Sequence, residues 1–287
     1  MPCTIRWLLV AALALAAAAC TRLAYMNASL AYTQAPHLMA WTVESYVDLS
    51  HEQKDLLHAR LDRALAWHRS QELPAYARFL ESVAQRSDRA FTDEEVAKAW
   101  ADVRADYARV VEHLLPDAAE LLASLDDRQL AGLQRRFEDA NRKFVKESTR
   151  GTPAERRADA AKRTTAQLRE WIGPLDERQA AIVEAWARSI DPLIEARLAD
   201  RRYRQSETIA LARTRDRQRI AEGLHRILLD TQAWRRPEFR EQLRVREQAT
   251  LHMIAVLSGT LSPAQRAHLR GRIGGYVQDI TRLASSR

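Results

Sequence analysis

The sequence predicts an all-α fold of about nine or ten helices in an antiparallel hairpin or bundle arrangement, one of them long. Three observations carry that expectation. Glycine and proline are scarce, 8 and 9 in 287 residues, while the good helix formers Ala, Leu, Arg, Glu and Gln dominate. Apolar residues recur at helical spacing, as in Leu57, Leu61, Leu65 and in Val96, Trp100, Val103, Tyr107, Val110, Leu114. Finally, one pattern repeats: Leu, then Ser or Asp, two residues, Gln, three residues, then Leu or Val. It stands at Leu49 Ser50 Gln53 Leu57, Leu125 Asp126 Gln129 Leu133, Leu175 Asp176 Gln179 Val183, and Leu261 Ser262 Gln265 Leu269. In each copy the Ser or Asp caps a helix start and the Gln reaches back to the cap's own N–H. Phe91 Thr92 Glu95 Val96 is a fifth variant, with Phe91 and Val96 placed as a hydrophobic staple. The intervals between copies are unequal, which excludes a solenoid of fixed period. With 46% apolar and 29% charged residues the chain is neither disordered nor fibrous, and the shortage of glycine argues against Rossmann and barrel enzymes.

At the N-terminus, Arg6 precedes an apolar run from Trp7 through Ala18 that ends in Ala17, Ala18, Ala19 and Cys20. That run is far short of the roughly 20 residues a spanning helix needs, so residues 1–19 read as a secretion signal. Small residues followed by Cys20 resemble the lipobox of bacterial lipoproteins. The resemblance implies cleavage before Cys20, diacylation of its sulfur and acylation of the new amino group. Thr21, in place of Asp, implies in turn the periplasmic face of the outer membrane. Several acyl chains make a firm anchor. Cys3 leaves with the signal, so the mature chain holds one cysteine and no internal disulfide. Beyond the covalent lipid at Cys20, no cofactor is expected.

Residues 20–48 form the lipidated N-terminal segment, and residues 49–287 the helical domain, two-lobed if the small, charged stretch 150–163 is a linker. Pro74, Pro116, Pro153, Pro192 and Pro263 fall where first helical turns accept proline, and Gly151 and Gly173 where helices stop. The long helix is expected to start at an Asp191 cap and run to about Gly223 or Asp230, past Arg202, Gln205 and Asp216, with that polar middle either projecting past the core as a solvated stretch or lining a polar groove.

Charge is lopsided. Residues 20–125 hold 11 basic and 16 acidic groups, residues 126–287 hold 33 and 22. A basic half raises nucleic acid as a partner, but an exported chain without zinc-finger, RNP-like or basic-zipper patterns points elsewhere. The expected partners are the membrane, through the acyl chains, and an envelope protein or an anionic lipid or polysaccharide. Arg201, Arg202 and Arg204 are the candidate binding residues.

Two segments carry a family resemblance: Trp41 to Ser50, and Trp67 His68 Arg69 Ser70 Gln71 Glu72 Leu73 Pro74 Ala75 Tyr76. With Leu125 Asp126 Asp127 and Glu170 to Leu175 they resemble a domain-of-unknown-function family of all-helical Gram-negative lipoproteins. The resemblance implies an envelope location and a helical fold, with no assigned activity. A looser likeness, through the Leu-x-x-x-Gln spacing, is to periplasmic stress chaperones with a Leu-Thr-x-x-Gln motif, although Ser or Asp replaces Thr in all four copies here.

Other constellations read as structure. His51, Asp55, His58 and Asp62 lie on one helix stripe, too extended to hold one metal ion. His68 reads as a hydrogen-bonded core histidine paired with Glu72. Trp41, Trp67, Trp100, Trp171, Trp186 and Trp234 read as core, although Trp41 lies close enough to Cys20 to reach a head-group region. Gly271 and Gly275 would permit a close helix crossing. Without a nucleophile elbow, a His-Glu-x-x-His or a glycine-rich phosphate loop, the sequence points away from an enzyme.

Overall fold

Capping chemistry sets the helix boundaries. In the computed structural model, which describes Tyr32 and residues 34–285, the described residues form α1 (Ala35–Glu44), α2 (His51–Trp67), a π-helical turn (His68–Glu72), α3 (Leu73–Arg86), α4 (Asp93–Ala123), α5 (Asp127–Ser148), α6 (Pro153–Ile172), α7 (Glu177–Ser189), α8 (Ile194–Arg213), α9 (Arg217–Leu228), α10 (Pro237–Ser258) and α11 (Pro263–Ser285). Helix α2, the π turn and α3 run on without a break. Counted as one, they bring the total among the described residues to ten, within the expected nine or ten, with no strand among them. The π turn has a physical cause: in α geometry the Pro74 ring would meet the carbonyl four residues back, and one wider turn relieves that clash.

All five expected boxes form. Ser50, Asp126, Asp176, Ser262 and Thr92 each accept from the N–H three residues on, and Gln53, Gln129, Gln179, Gln265 and Glu95 each accept from the cap's N–H. Thr152 and Glu155 make a sixth, beyond the five expected.

Three expectations are corrected. Helix 191–230 is broken: α8 ends at Arg213, Arg215 adopts φ 58°, and the Asp216 side chain caps α9 through the Arg219 N–H at 3.1 Å. At its start, Asp191 accepts from the Leu193 N–H in the turn before α8, so Pro192 precedes the helix. The longest uninterrupted α-helix among the described residues is α4, 31 residues or about 46 Å, exceeded only by the joined run of α2, the π turn and α3 from His51 to Arg86; α4 carries Pro116 in its interior, beside the buried Leu115, Ala118 and Ala119. Most of the stretch 150–163 is helical, since α6 begins at Pro153 behind its Thr152 cap, and the passage between the two compact units falls just before it, between Ser148 and Thr149. Gly151 and Gly173, at φ 74° and 78°, do stop helices.

The chain forms two compact units, interleaved in sequence. Unit 1 comprises residues up to 69, 106–148 and 194–235; unit 2 comprises 70–105, 149–193 and 236–287. Unit 1 is built on one cluster around Met39, Leu57, Leu61, Leu65, Leu130, Leu133 and Phe137, and a second around Val111, Leu115, Ala119, Ile220, Leu224 and Ile227. In unit 2 Val183, Ala187 and Met253 form one cluster and Ile172, Leu257 and Leu261 another.

Each unit brings two helix starts together tip to tip. In unit 1 the Gln129 amide donates to Gln53 Oε1 at 2.6 Å and to the Asp48 carbonyl at 2.7 Å, while Gln53 donates to Gln129 Oε1 at 3.2 Å and to the Ser124 carbonyl at 2.8 Å. In unit 2 Gln179 donates to Gln265 Oε1 at 2.9 Å and to the Thr260 carbonyl at 3.2 Å, and Gln265 donates to Gln179 Oε1 at 2.8 Å and to the Pro174 carbonyl at 2.8 Å. The rule is the same four times: each Gln closes its own box with its oxygen and uses its NH2 on the residue preceding the partner's Leu.

Candidate functional site

Helix α8 carries the three candidate binding arginines, and the structure does not bring them to one surface. Residues 201, 204 and 205 share a helical face, with 202 turned about 100° away from 201. The shared face points inward. Arg201 is 5% exposed, donates from Nε to Asn141 Oδ1 at 3.1 Å, and lies 4.9 Å over the Phe144 ring. Asn141 in turn donates to Gln205 Oε1 at 2.7 Å, which makes a polar seam between α5 and α8. Buried Asp200 accepts from Arg204 at 2.8 Å and from Arg235 at 2.7 Å, and Trp234 stacks on Tyr203 with centroids 4.6 Å apart. Of the three arginines only Arg202 is exposed. Among the polar residues that interrupt the expected long helix, Gln205 is interior and partnered from α5, some sixty residues earlier, whereas Arg202 and Asp216 are exposed. Such a buried ionic and amide network fixes the register of two helices more than it adds net stability.

The N-terminal edge of unit 1 is built differently. Met39, Ala35 and Ala40 seat α1 in the core. Ahead of it, the Tyr32 hydroxyl lies 3.0 Å from His68 Nδ1 and 3.4 Å from the Leu65 carbonyl. His68 is the core histidine the sequence suggested, and Tyr32 is a hydrogen-bond partner that was not foreseen. Burial lowers the His68 pKa to about 4 and raises that of Tyr32. The outer face of α1 presents Leu38 and Trp41, 48% and 69% exposed. Trp41 is thus not core. Helical spacing alone did not announce this pair at i, i+3, and the available signal was charge: between Arg22 and Glu44 the chain has no Asp, Glu, Lys or Arg, and His37 is its one basic side chain.

Cys20 lies outside the described residues. The other tryptophans sit at the edges of the core. Trp67 stacks on His113 at 3.7 Å, Trp171 on Tyr276 at 5.2 Å, and Trp186 donates to Thr250 Oγ1 at 3.1 Å, while Trp100 is 37% exposed. Rings of this size are rarely covered on every side. His51 and Asp55 form a solvent-facing contact at 3.7 Å. Among the described residues no group of three or more His, Cys, Asp or Glu is placed to hold a metal ion, and no helix is long and apolar enough to cross a membrane. Gly271 and Gly275 make no close crossing, since a Cβ at either would meet nothing within 4 Å. The close approach is at Gly223, where a Cβ would fall 2.3 Å from Leu211 Cδ2.

With this geometry in place, the chain is matched over residues 45–240 by the family described as "Family of unknown function (DUF6279)", and it belongs to that family. The match takes in three of the four Gln-capped helix starts and leaves out α1 and the fourth. No curated protein and no solved structure matches the chain.

Proposed function

We propose that this member of the family is a lipid-anchored, periplasm-facing protein of the bacterial outer membrane that acts as a helical scaffold, through surfaces and not through chemistry. The observation that carries the proposal is the apolar run Trp7–Ala18 ending in Ala17, Ala18, Ala19 and Cys20. Its length suits a signal and its final residue suits acylation. A helical body with long, arginine-rich exposed faces supports recognition of an envelope protein, or of an anionic lipid or polysaccharide, by the basic residues of 126–287. Because Arg201 and Arg204 are interior, that role passes to Arg202 and the other exposed arginines.

Membrane fractionation tests the anchor: the native chain should follow the outer membrane, and Cys20→Ser should move to the soluble periplasmic fraction. In-cell crosslinking tests the scaffold, and a defined co-purifying envelope partner is the expected result. A second proposal, a chaperone-like binder of unfolded chains, is favoured by the exposed Trp100 and Val103 on α4 and Val245, Ile254 and Val256 on α10. Suppression of client aggregation at stoichiometric amounts, with crosslinks spread over many clients, would favour it over the scaffold.

A further inference from the structure

Helix α1 has a core face and an outer edge of opposite character to the rest of the surface. Trp41 is the most exposed large apolar side chain among the described residues, and Leu38 lies one helical turn before it on the same side. An isolated exposed apolar residue needs no explanation. Three further observations set this edge apart.

The first is charge. In a chain with 29% charged residues, the stretch Leu23–Val43 has no Asp, Glu, Lys or Arg and one histidine, the exposed His37 beside Leu38, whereas α2, the next helix, carries Glu52, Lys54, Asp55, Arg60, Asp62 and Arg63 on its exposed and half-exposed positions. The second is the treatment of polar groups. Thr42 donates its hydroxyl to the Leu38 carbonyl at 2.7 Å and Ser45 to the Thr42 carbonyl at 2.7 Å, so these hydroxyls are satisfied by the helix itself and lose little on leaving water. The third is chain length. Cys20 is fifteen residues before Ala35, a separation that even a fully extended chain spans in about 50 Å, and α1 is the first described helix after it.

From these features we infer that the Leu38–Trp41 edge of α1 is a lipid-contact surface, lying in the head-group region of the bilayer entered by the acyl chains on Cys20. Tryptophan suits that layer because its ring is apolar and its N–H is not, and an uncharged helix edge avoids the cost that a Lys or Asp would meet there. The inference rests on the proposed anchor and adds to it a fixed face for unit 1: α1 toward lipid, with Met39 and Ala40 toward the core.

The test uses the acylated full chain in vesicles of phosphatidylethanolamine and phosphatidylglycerol, with and without bromine on the lipid acyl chains. Intact mass confirms the acyl chains and circular dichroism the helical fold of each variant. The tryptophan emission lost on bromination should fall by at least about twofold in Trp41→Phe and should persist in Trp100→Phe, which removes an exposed tryptophan of unit 2. Equal loss in the native chain and Trp41→Phe overturns the inference and leaves the anchor standing, as does loss of the quenched component in Trp100→Phe alone. A chain that carries no acyl groups removes the anchor, and the inference with it.

Discussion

The paired glutamines of unit 1 and unit 2 use one device in different surroundings. Each pair joins a Ser-capped helix to an Asp-capped one, and in both the buried glutamine belongs to the Asp-capped helix: Gln129 at 6% and Gln179 at 0% exposure. The unit 1 pair is uneven, 2.6 and 3.2 Å, and is flanked by the exposed ion pairs Arg128–Asp48 and Arg215–Asp127. The unit 2 pair is even, 2.9 and 2.8 Å. Nearby, Arg266 donates to the carbonyls of Ser87, Arg89 and Ser258. What survives the change of neighbours is the carboxamide, which accepts with one atom and donates with the other. The boxes closed by Glu95 and Glu155 make the same point from the opposite side. A carboxylate closes its own box but has no N–H for a partner, and Glu95 turns to Arg89 instead.

If this account of the amide is right, the most damaging substitution should be Gln179→Glu. It would place a carboxylate, with no access to water, against the Gln265 oxygen and the Thr260 carbonyl. Urea unfolding should report a loss of about 4 kcal/mol, and Gln265→Glu, on the half-buried side, should lose clearly less. Equal losses would break the argument from burial.

Next in size is an acid effect confined to unit 1. His68 titrates near 4 when folded and near 6.5 when unfolded. The unfolded chain therefore binds the extra proton first: stability is full above about 6.5, falls as pH drops toward 4, and levels off below. The shift corresponds to about 3 kcal/mol. Hydrogen exchange should show unit 1 amides losing protection through that window before those of unit 2, and His68→Phe should flatten the difference.

Two glycines sharpen the contrast further. Gly223→Ala in unit 1 should cost about 1 kcal/mol net, because displacement of Leu211 outweighs the gain in helix propensity. Gly271→Ala in unit 2, with open space around it, should gain a little under 1 kcal/mol. Thermal denaturation of the two variants should move in opposite directions.

The smallest change at neutral pH is expected for Glu95→Gln, which keeps the box and loses an exposed ion pair. Hydrogen bonding to Arg89 holds the Glu95 carboxyl down to about 2, so its contribution is present above the ordinary carboxylate range and is lost as pH falls toward 2. Acid titration of unfolding should therefore be shallower in the variant.

Much of the fold was legible because helix starts are written locally. Ser50 with Gln53, or Asp176 with Gln179, needs only three residues of context, and so the boxes, the all-α class and the family resemblance could be found in the chain itself. Half of each glutamine's work could not. The NH2 partners lie 76 and 86 positions away, and nothing local announces which two tips will meet. The same limit misplaced the arginines: Arg201 and Arg204 look like surface charges until Asn141, Phe144 and Asp200 are brought around them. The break after Arg213 is written in Thr214, Arg215 and Asp216, but an Asp216 cap and a polar interruption of one long helix look alike in sequence. At the candidate lipid surface the pattern from which acylation of Cys20 is proposed is local, the apolar run and the small residues before it. The outward turn of Trp41 depended on which face of α1 the core would take.

The most direct test of the functional account is the intact mass of the mature protein purified from membranes. The account predicts a chain that begins at Cys20 and carries the mass of a diacylglycerol thioether plus one amide-linked acyl chain. A chain that retains residues 1–19, begins elsewhere, or begins at Cys20 with a free thiol and a free amine would contradict it.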